Sequence, residues 1–214
     1  MNTFHWELRD RMFSEENMYN FVMRTASERK FDQTLKALPA MRNYHEGQTR
    51  KGKEHVPYIY HPLTAACHAL ALGIEEDDIL AAVLLHDVCE DCGVEPEELP
   101  VNQKIQKTVA QVTFRILPGE SREQAKERYF WNISKNRDAI IVKILDRCHN
   151  ISTMATGFPV ERMAAYIDET EKYVLPLLNL LKVTYPEFYN AAFLLKYQMM
   201  SVLESLKRTI VYAE

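Results

Sequence analysis

Three short stretches carry side chains that a folded protein does not bury without a reason. In Leu84-Leu85-His86-Asp87-Val88-Cys89-Glu90-Asp91, an apolar run ends in an imidazole beside a carboxylate, and two more carboxyls follow at once. Tyr60-His61-Pro62 sets a second histidine at the start of another apolar stretch, where a proline marks the first turn of a helix. In the run from Ile140 to Met154, Asp146 interrupts an apolar stripe and Asn150 follows one helical turn later, on the same face. Groups of this kind are costly to bury unless they are paired or bind a cation. Two imidazoles and two carboxylates from separate segments suit a borderline or hard divalent metal such as manganese, iron or zinc. Neighbouring helical residues diverge by about 100°. The spacing alone therefore leaves open whether His86 and Asp87 both approach one metal or only one of them faces the core.

Each residue also has an ordinary reading. A single histidine on a helix is usually a satisfied core or surface group. Asp146 could be the buried partner of Arg147 or Arg162, and Glu90-Asp91 a solvated acidic turn continued by Glu95, Glu97 and Glu98. Arg50 and Lys51 could be a solvated loop run beside Lys53, and Thr153 could satisfy its own helix backbone. Cys89 and Cys92 form a CxxC, but no further zinc ligands or βαβ context accompany them, so free thiols are expected. Tyr129, Phe130 and Trp131 read as core rather than a base-stacking platform. His149 flanks the site without an assigned role.

The elements that must position these groups read as helices. Only 6 glycines and 9 prolines punctuate the 214 residues, and apolar positions recur at helical spacing, as in Leu63, Ala66, Cys67 and Leu70. The pattern predicts an all-α fold with helices near 15–46, 62–72, 76–88, 101–114, 121–134, 137–156, 159–183 and 186–211. The last two are broken near Tyr185-Pro186. Long loops at about 47–61 and 89–100 flank the candidate residues. One domain is expected over 1–214, with the motifs within about 40–155 and a C-terminal helical extension over 159–211. Those last helices either bury against the domain or form a dimer interface.

Bulk properties narrow the function. With 47% apolar and 26% charged residues the chain has ordinary globular composition, and a net charge of −4 argues against a nucleic-acid polymer as partner. A small anion held by local cations or a metal remains compatible with that charge. The N-terminus has no signal-peptide pattern, and no apolar run is long enough to span a bilayer. The four cysteines then suggest reduced thiols and a cytoplasmic setting, with no membrane partner.

Taken in series, the motifs resemble the HD-domain metal phosphohydrolases. Within them they are most similar to the (p)ppGpp hydrolase domain of the RelA/SpoT proteins and the stand-alone small alarmone hydrolases. The matching segments are His45-Glu46-Gly47-Gln48-Thr49-Arg50-Lys51, Tyr58-Ile59-Tyr60-His61-Pro62, Leu84 to Asp91, and Lys143-Ile144-Leu145-Asp146-Arg147-Cys148-His149-Asn150. The resemblance implies a metal, manganese by expectation, on His61, His86, Asp87 and Asp146. It implies a catalytic acidic pair, Glu90 and Asp91, and substrate contacts from Arg50, Lys51, Asn150 and Thr153. The implied reaction is hydrolysis of the 3′-diphosphate of (p)ppGpp to GDP or GTP and pyrophosphate. Metal-acidified water would attack phosphorus, and Glu90 or Asp91 would protonate the leaving oxygen. The chain departs from the pattern after the acidic pair: no FG-containing helix follows, and Phe114 stands where a GVTK-like segment carries lysine. An HD phosphohydrolase for another nucleotide, such as NADPH or a nucleoside monophosphate, and a silent nucleotide-binding module are the alternatives.

Overall fold

A computed structural model of the chain describes residues 14–50 and 55–211. The described residues form helices and one isolated antiparallel bridge, Thr49–Pro57, which bears out the all-α expectation. The helices are α1 (Glu15–Arg29), α2 (Asp32–Tyr44), α3 (Tyr60–Ala71), α4 (Asp77–Leu85), α5 (Val88–Asp91), α6 (Gln103–Val112), α7 (Arg122–Ile133), α8 (Arg137–Thr153), α9 (Val160–Glu169), α10 (Leu175–Thr184) and α11 (Tyr189–Val211).

The predicted helix over 15–46 is two helices. Lys30 adopts a left-handed conformation (φ 58°) and closes α1, its N–H bonding the carbonyls of Ala26 and Ser27. The next helix is capped from a distance. The Asp77 carboxylate on α4 accepts from the N–H groups of Gln33 (2.9 Å) and Thr34 (2.7 Å), which a first helical turn leaves without partners. This bond locks α2 onto α4. Every residue of α4 from Ile79 to Leu85 is buried. Each large apolar side chain so placed is stabilised by roughly 1.5–3 kcal/mol through loss of water contact. α4 packs against α2, α3, α6 and α8, and α3 packs against α8. The three segments that carry the candidate ligands are thus neighbours in one core.

The predicted helix over 76–88 ends early. The chain leaves α4 at Leu85, passes through His86 and Asp87, and restarts as the single turn α5. That break lets both side chains turn toward the same point. Farther on, α9 widens into a π-turn over Thr170–Val174 before continuing as α10. The break at Tyr185-Pro186 falls as expected. Trp131 corrects the reading of the aromatic cluster. Tyr129 and Phe130 are buried, whereas Trp131 points outward, 63% exposed beneath the Lys135 ammonium (3.5 Å from the ring centre).

Candidate metal centre

Donor atoms of His61, His86 and Asp146 lie within 4.8 Å of one another. His61 Nε2 is 3.1 Å from His86 Nε2 and 3.3 Å from Asp146 Oδ1. Asp87 joins them, its Oδ2 3.4 Å from His61 Nε2 and 3.2 Å from His86 Nε2. The histidines and Asp146 are buried, and Asp87 is the open edge of the group, its side chain 21% exposed. The four residues that the sequence singles out therefore converge on one point from α3, the α4–α5 break and α8.

The surroundings fix these side chains. His86 Nδ1 lies 2.7 Å from the Val83 carbonyl, to which it donates, so loss of the ring's other proton leaves the lone pair at Nε2. His61 Nδ1 lies 2.7 Å from His149 Nδ1. The Tyr58 hydroxyl donates to Asp87 Oδ2 at 2.6 Å, and the Tyr58 ring stacks on buried His45 at 4.5 Å between centres. Lys143 Nζ lies 2.8 Å from Asp146 Oδ2. Asn150 donates to Asp146 Oδ1 at 2.5 Å while its own Oδ1 accepts from Arg50 at 2.6 Å.

The electrostatics call for a cation. Burial opposes charge on His86, but Asp87 and Asp146 outweigh it and hold its pKa well above the ordinary histidine value. Burial likewise works against ionised Asp87 and Asp146. His86 and His61 overcome it for Asp87, and Lys143 with the two histidines for Asp146, so both sit well below the usual carboxylate range. Burial lowers His149 to about 2, with His61 and Arg50 adding to the effect, and that ring is neutral. Two imidazole nitrogens and two carboxylate oxygens aimed at one spot are a donor set that a divalent metal fits.

The centre opens into a cavity of about 570 Å³, the size of small-molecule sites. Arg50, Glu90, Asp91 and Asn150, to which the resemblance gives catalytic and substrate-contact roles, line it. Lys51 lies outside the described residues. Thr153 is not part of the lining, and its hydroxyl donates to the His149 carbonyl at 3.0 Å, its own helix backbone. Phe114, at the point of departure from the family pattern, also lines the cavity, and its N–H donates to Glu90 Oε2 at 3.2 Å. Burial of the carboxyl against this wall raises the Glu90 pKa although the residue as a whole is exposed; Phe114 N–H and Lys143 pull the other way.

Several lining residues escaped the sequence reading. Tyr58 and Lys143 stand inside the matching motifs, and their position there was the available signal. Arg122 and Lys126 carry no motif in the sequence, and Arg162 entered it only as a possible partner of Asp146. In the fold they join Arg50, Lys143 and Arg147 to place six cations around the cavity, against the five carboxylates of Asp87, Glu90, Asp91, Asp146 and Glu169. Asp146 pairs with neither arginine weighed for it. Arg147, only 2% exposed, bonds Glu169 Oε1 (2.5 Å) and Thr170 Oγ1 (3.3 Å) and lies over the Tyr166 ring (3.8 Å). Arg122 and Arg162 have no carboxylate partner among the described residues. They lie 5.9 Å from the Phe114 ring centre and 4.0 Å from that of Phe158.

Fold and sequence relationships point the same way: the all-α fold is shared with a solved relative of SpoT. A solved metazoan ortholog of SpoT that hydrolyses ppGpp superimposes with a TM-score of 0.64 at 21% identity, over 81% of this chain and 94% of that one. In sequence, the chain is 27% identical over 171 residues to the bifunctional (p)ppGpp synthase/hydrolase SpoT of Escherichia coli, covering 76% of this chain and 24% of that protein. It is 33% identical over 144 residues to the guanosine-3′,5′-bis(diphosphate) 3′-pyrophosphohydrolase of Aquifex aeolicus, covering 65% of this chain and 20% of the relative. The chain spans about a quarter of the length of the curated relatives it matches. No protein-family model matches it. The resemblance read from the motifs is thus borne out by relatives over most of the chain.

Proposed function

We propose that this chain hydrolyses (p)ppGpp to GDP or GTP and pyrophosphate, with a divalent ion, manganese by preference, held by His61, His86, Asp87 and Asp146. The observation that carries the reading is the convergence of those four side chains beside a cavity whose cations include two guanidiniums with no carboxylate partner among the described residues. When bound, such an ion supplies Lewis-acid polarisation of phosphoryl oxygen and acidifies water. It also leaves the lining net positive, suited to a ligand with more than one phosphate group.

The chain's own residues divide the remaining work. Glu90 and Asp91 line the cavity beside Asp87 and would handle protons in this reading. The raised Glu90 pKa favours a protonated carboxyl, which can donate to the ribose 3′ oxygen as it leaves phosphorus. Arg50, fixed by Asn150, offers a planar fork for phosphate or a flat cation for the base. Lys51 is a further contact in this reading. Arg122 and Arg162 face the second diphosphate, which is not cleaved, and the nearby rings of Phe114 and Phe158 hold their guanidiniums in place.

The test is product analysis of purified protein with ppGpp and manganese. Pyrophosphate and GDP are expected in equal amounts, and the Asp146→Ala variant should release neither. Orthophosphate as the product, or undiminished turnover in Asp146→Ala, would overturn the proposal.

A further inference from the structure

His149 is buried beside the metal centre without reaching it. Its Nδ1 lies 2.7 Å from His61 Nδ1. Its Nε2 is buried and has no hydrogen-bond partner among the described residues. The two rings are tilted by 40° with centres 4.7 Å apart, so the contact is edge to edge through nitrogen rather than a stack.

We propose that His149 is a positioning residue for the metal: it accepts the Nδ1 proton of His61 and so commits His61 Nε2 to the ion. The inference rests on the metal reading above. Its logic is a proton count. A neutral imidazole has one N–H and one lone pair. His61 can offer a lone pair at Nε2 only when its proton is on Nδ1, and that proton then needs an acceptor. His149 Nδ1 is the group at bonding distance. With its Nδ1 lone pair so used, His149 carries its own proton at Nε2, the buried atom without a partner. An unsatisfied buried donor is costly. The chain retains it where it determines which nitrogen of a ligand faces the ion.

The two ligand histidines are therefore backed in different ways. His86 is backed by the Val83 carbonyl. His61 is backed by a neutral ring, which adds no negative charge to a centre that already holds two carboxylates. A carboxylate in the same place would strengthen the ligand further and make the ion less electrophilic.

Side-chain shape gives a positional test. Asparagine places its carbonyl oxygen near the site of the imidazole Nδ1, whereas glutamine places its oxygen near Nε2. Manganese affinity is measured on the purified chain by electron paramagnetic resonance of the free ion. Circular dichroism of each metal-free variant checks the fold. His149→Phe and His149→Gln should bind manganese about 10–100-fold more weakly, the size of other effects of removing a group that orients a ligand histidine. His149→Asn should stay close to wild type. A folded His149→Phe that binds like wild type would overturn this inference alone. Wild type that binds no manganese would overturn the metal reading and this inference with it. A second measurement needs no variant. Two-bond nitrogen–proton correlation spectra of the zinc-loaded wild type should show His61 protonated at Nδ1 and His149 at Nε2. A His61 proton at Nε2 would refute the assignment.

Discussion

Replacing Glu169 by alanine cuts a link between α8, which carries Asp146, and α9, together with the more exposed Lys126 pair (2.7 Å) from α7. Arg147 is 2% exposed, and its principal partner is the Glu169 carboxylate at 2.5 Å. Removing one member of such a pair strands the other charge, at a typical cost of about 3–5 kcal/mol. Two contacts remain to the guanidinium, the Thr170 hydroxyl and the Tyr166 ring. Glu169 is itself 19% exposed, so water can follow it. Both points favour the lower end, about 3 kcal/mol. In a chain of this size that corresponds to a melting point about 6–12 °C lower. The pH dependence separates an ion pair from mere packing. Burial would raise the Glu169 pKa, but Arg147 and Lys126 outweigh it and hold it below the usual value. A carboxyl with a depressed folded pKa adds stability above its unfolded pKa of about 4.3, and that increment fades as pH falls through the folded value. Urea melts followed by circular dichroism should therefore show the full gap between wild type and Glu169→Ala near neutrality and a shrinking gap below about pH 4. A gap under about 1 kcal/mol at pH 7 would refute the claim that Arg147 depends on this partner. So would a gap constant from pH 3 to 7.

Further outcomes follow from the site. Tyr58→Phe removes the hydroxyl that bonds Asp87 Oδ2 at 2.6 Å and should weaken manganese binding by about 10–100-fold, read by titration calorimetry. If Glu90 donates a proton, the rate should fall as pH rises through its raised pKa, and Glu90→Gln should remove that alkaline limb from the kcat profile. Arg162→Ala should raise KM for ppGpp about tenfold or more while leaving manganese affinity unchanged, because its guanidinium lies over Phe158 and not at the metal donors. A change in both quantities would argue against a separate phosphate contact.

Much of this was legible in the sequence for identifiable reasons. The fold class follows from 3.6-residue periodicity, which survives even where helix ends shift. Burial of His61, His86 and Asp146 was legible because each borders or interrupts an apolar run, whereas the four-residue ligand set rested on the family resemblance, the spacing having left Asp87 open. The α1–α2 break was not, because Lys30 makes a left-handed turn without the glycine that usually marks one. The π-turn after Glu169 leaves no mark on hydropathy. The roles of Tyr58 and His149 depend on hydrogen bonds across 29 and 88 residues, and a neutral partner has no signature in composition. Arg122, Lys126 and Arg162 lie on helices that also carry solvent-facing charges, so only the packing of α7 and α9 around the cavity distinguishes them.

The small hairpin base after α2 carries a further implication. Gly47, at φ 74°, turns the chain out of α2. Arg50 N–H then bonds the Val56 carbonyl at 2.8 Å, and Tyr58 N–H bonds that of Gln48 at 2.9 Å, around the Thr49–Pro57 bridge. One arm presents Arg50 to the cavity and the other presents Tyr58 to Asp87. The bridge and its two hydrogen bonds tie the arms together, so a contact that settles Arg50 would also settle the hydroxyl on Asp87. Occupancy of the two subsites is then thermodynamically linked. Whatever factor the ion contributes to nucleotide affinity, the nucleotide must return to ion affinity in equal measure.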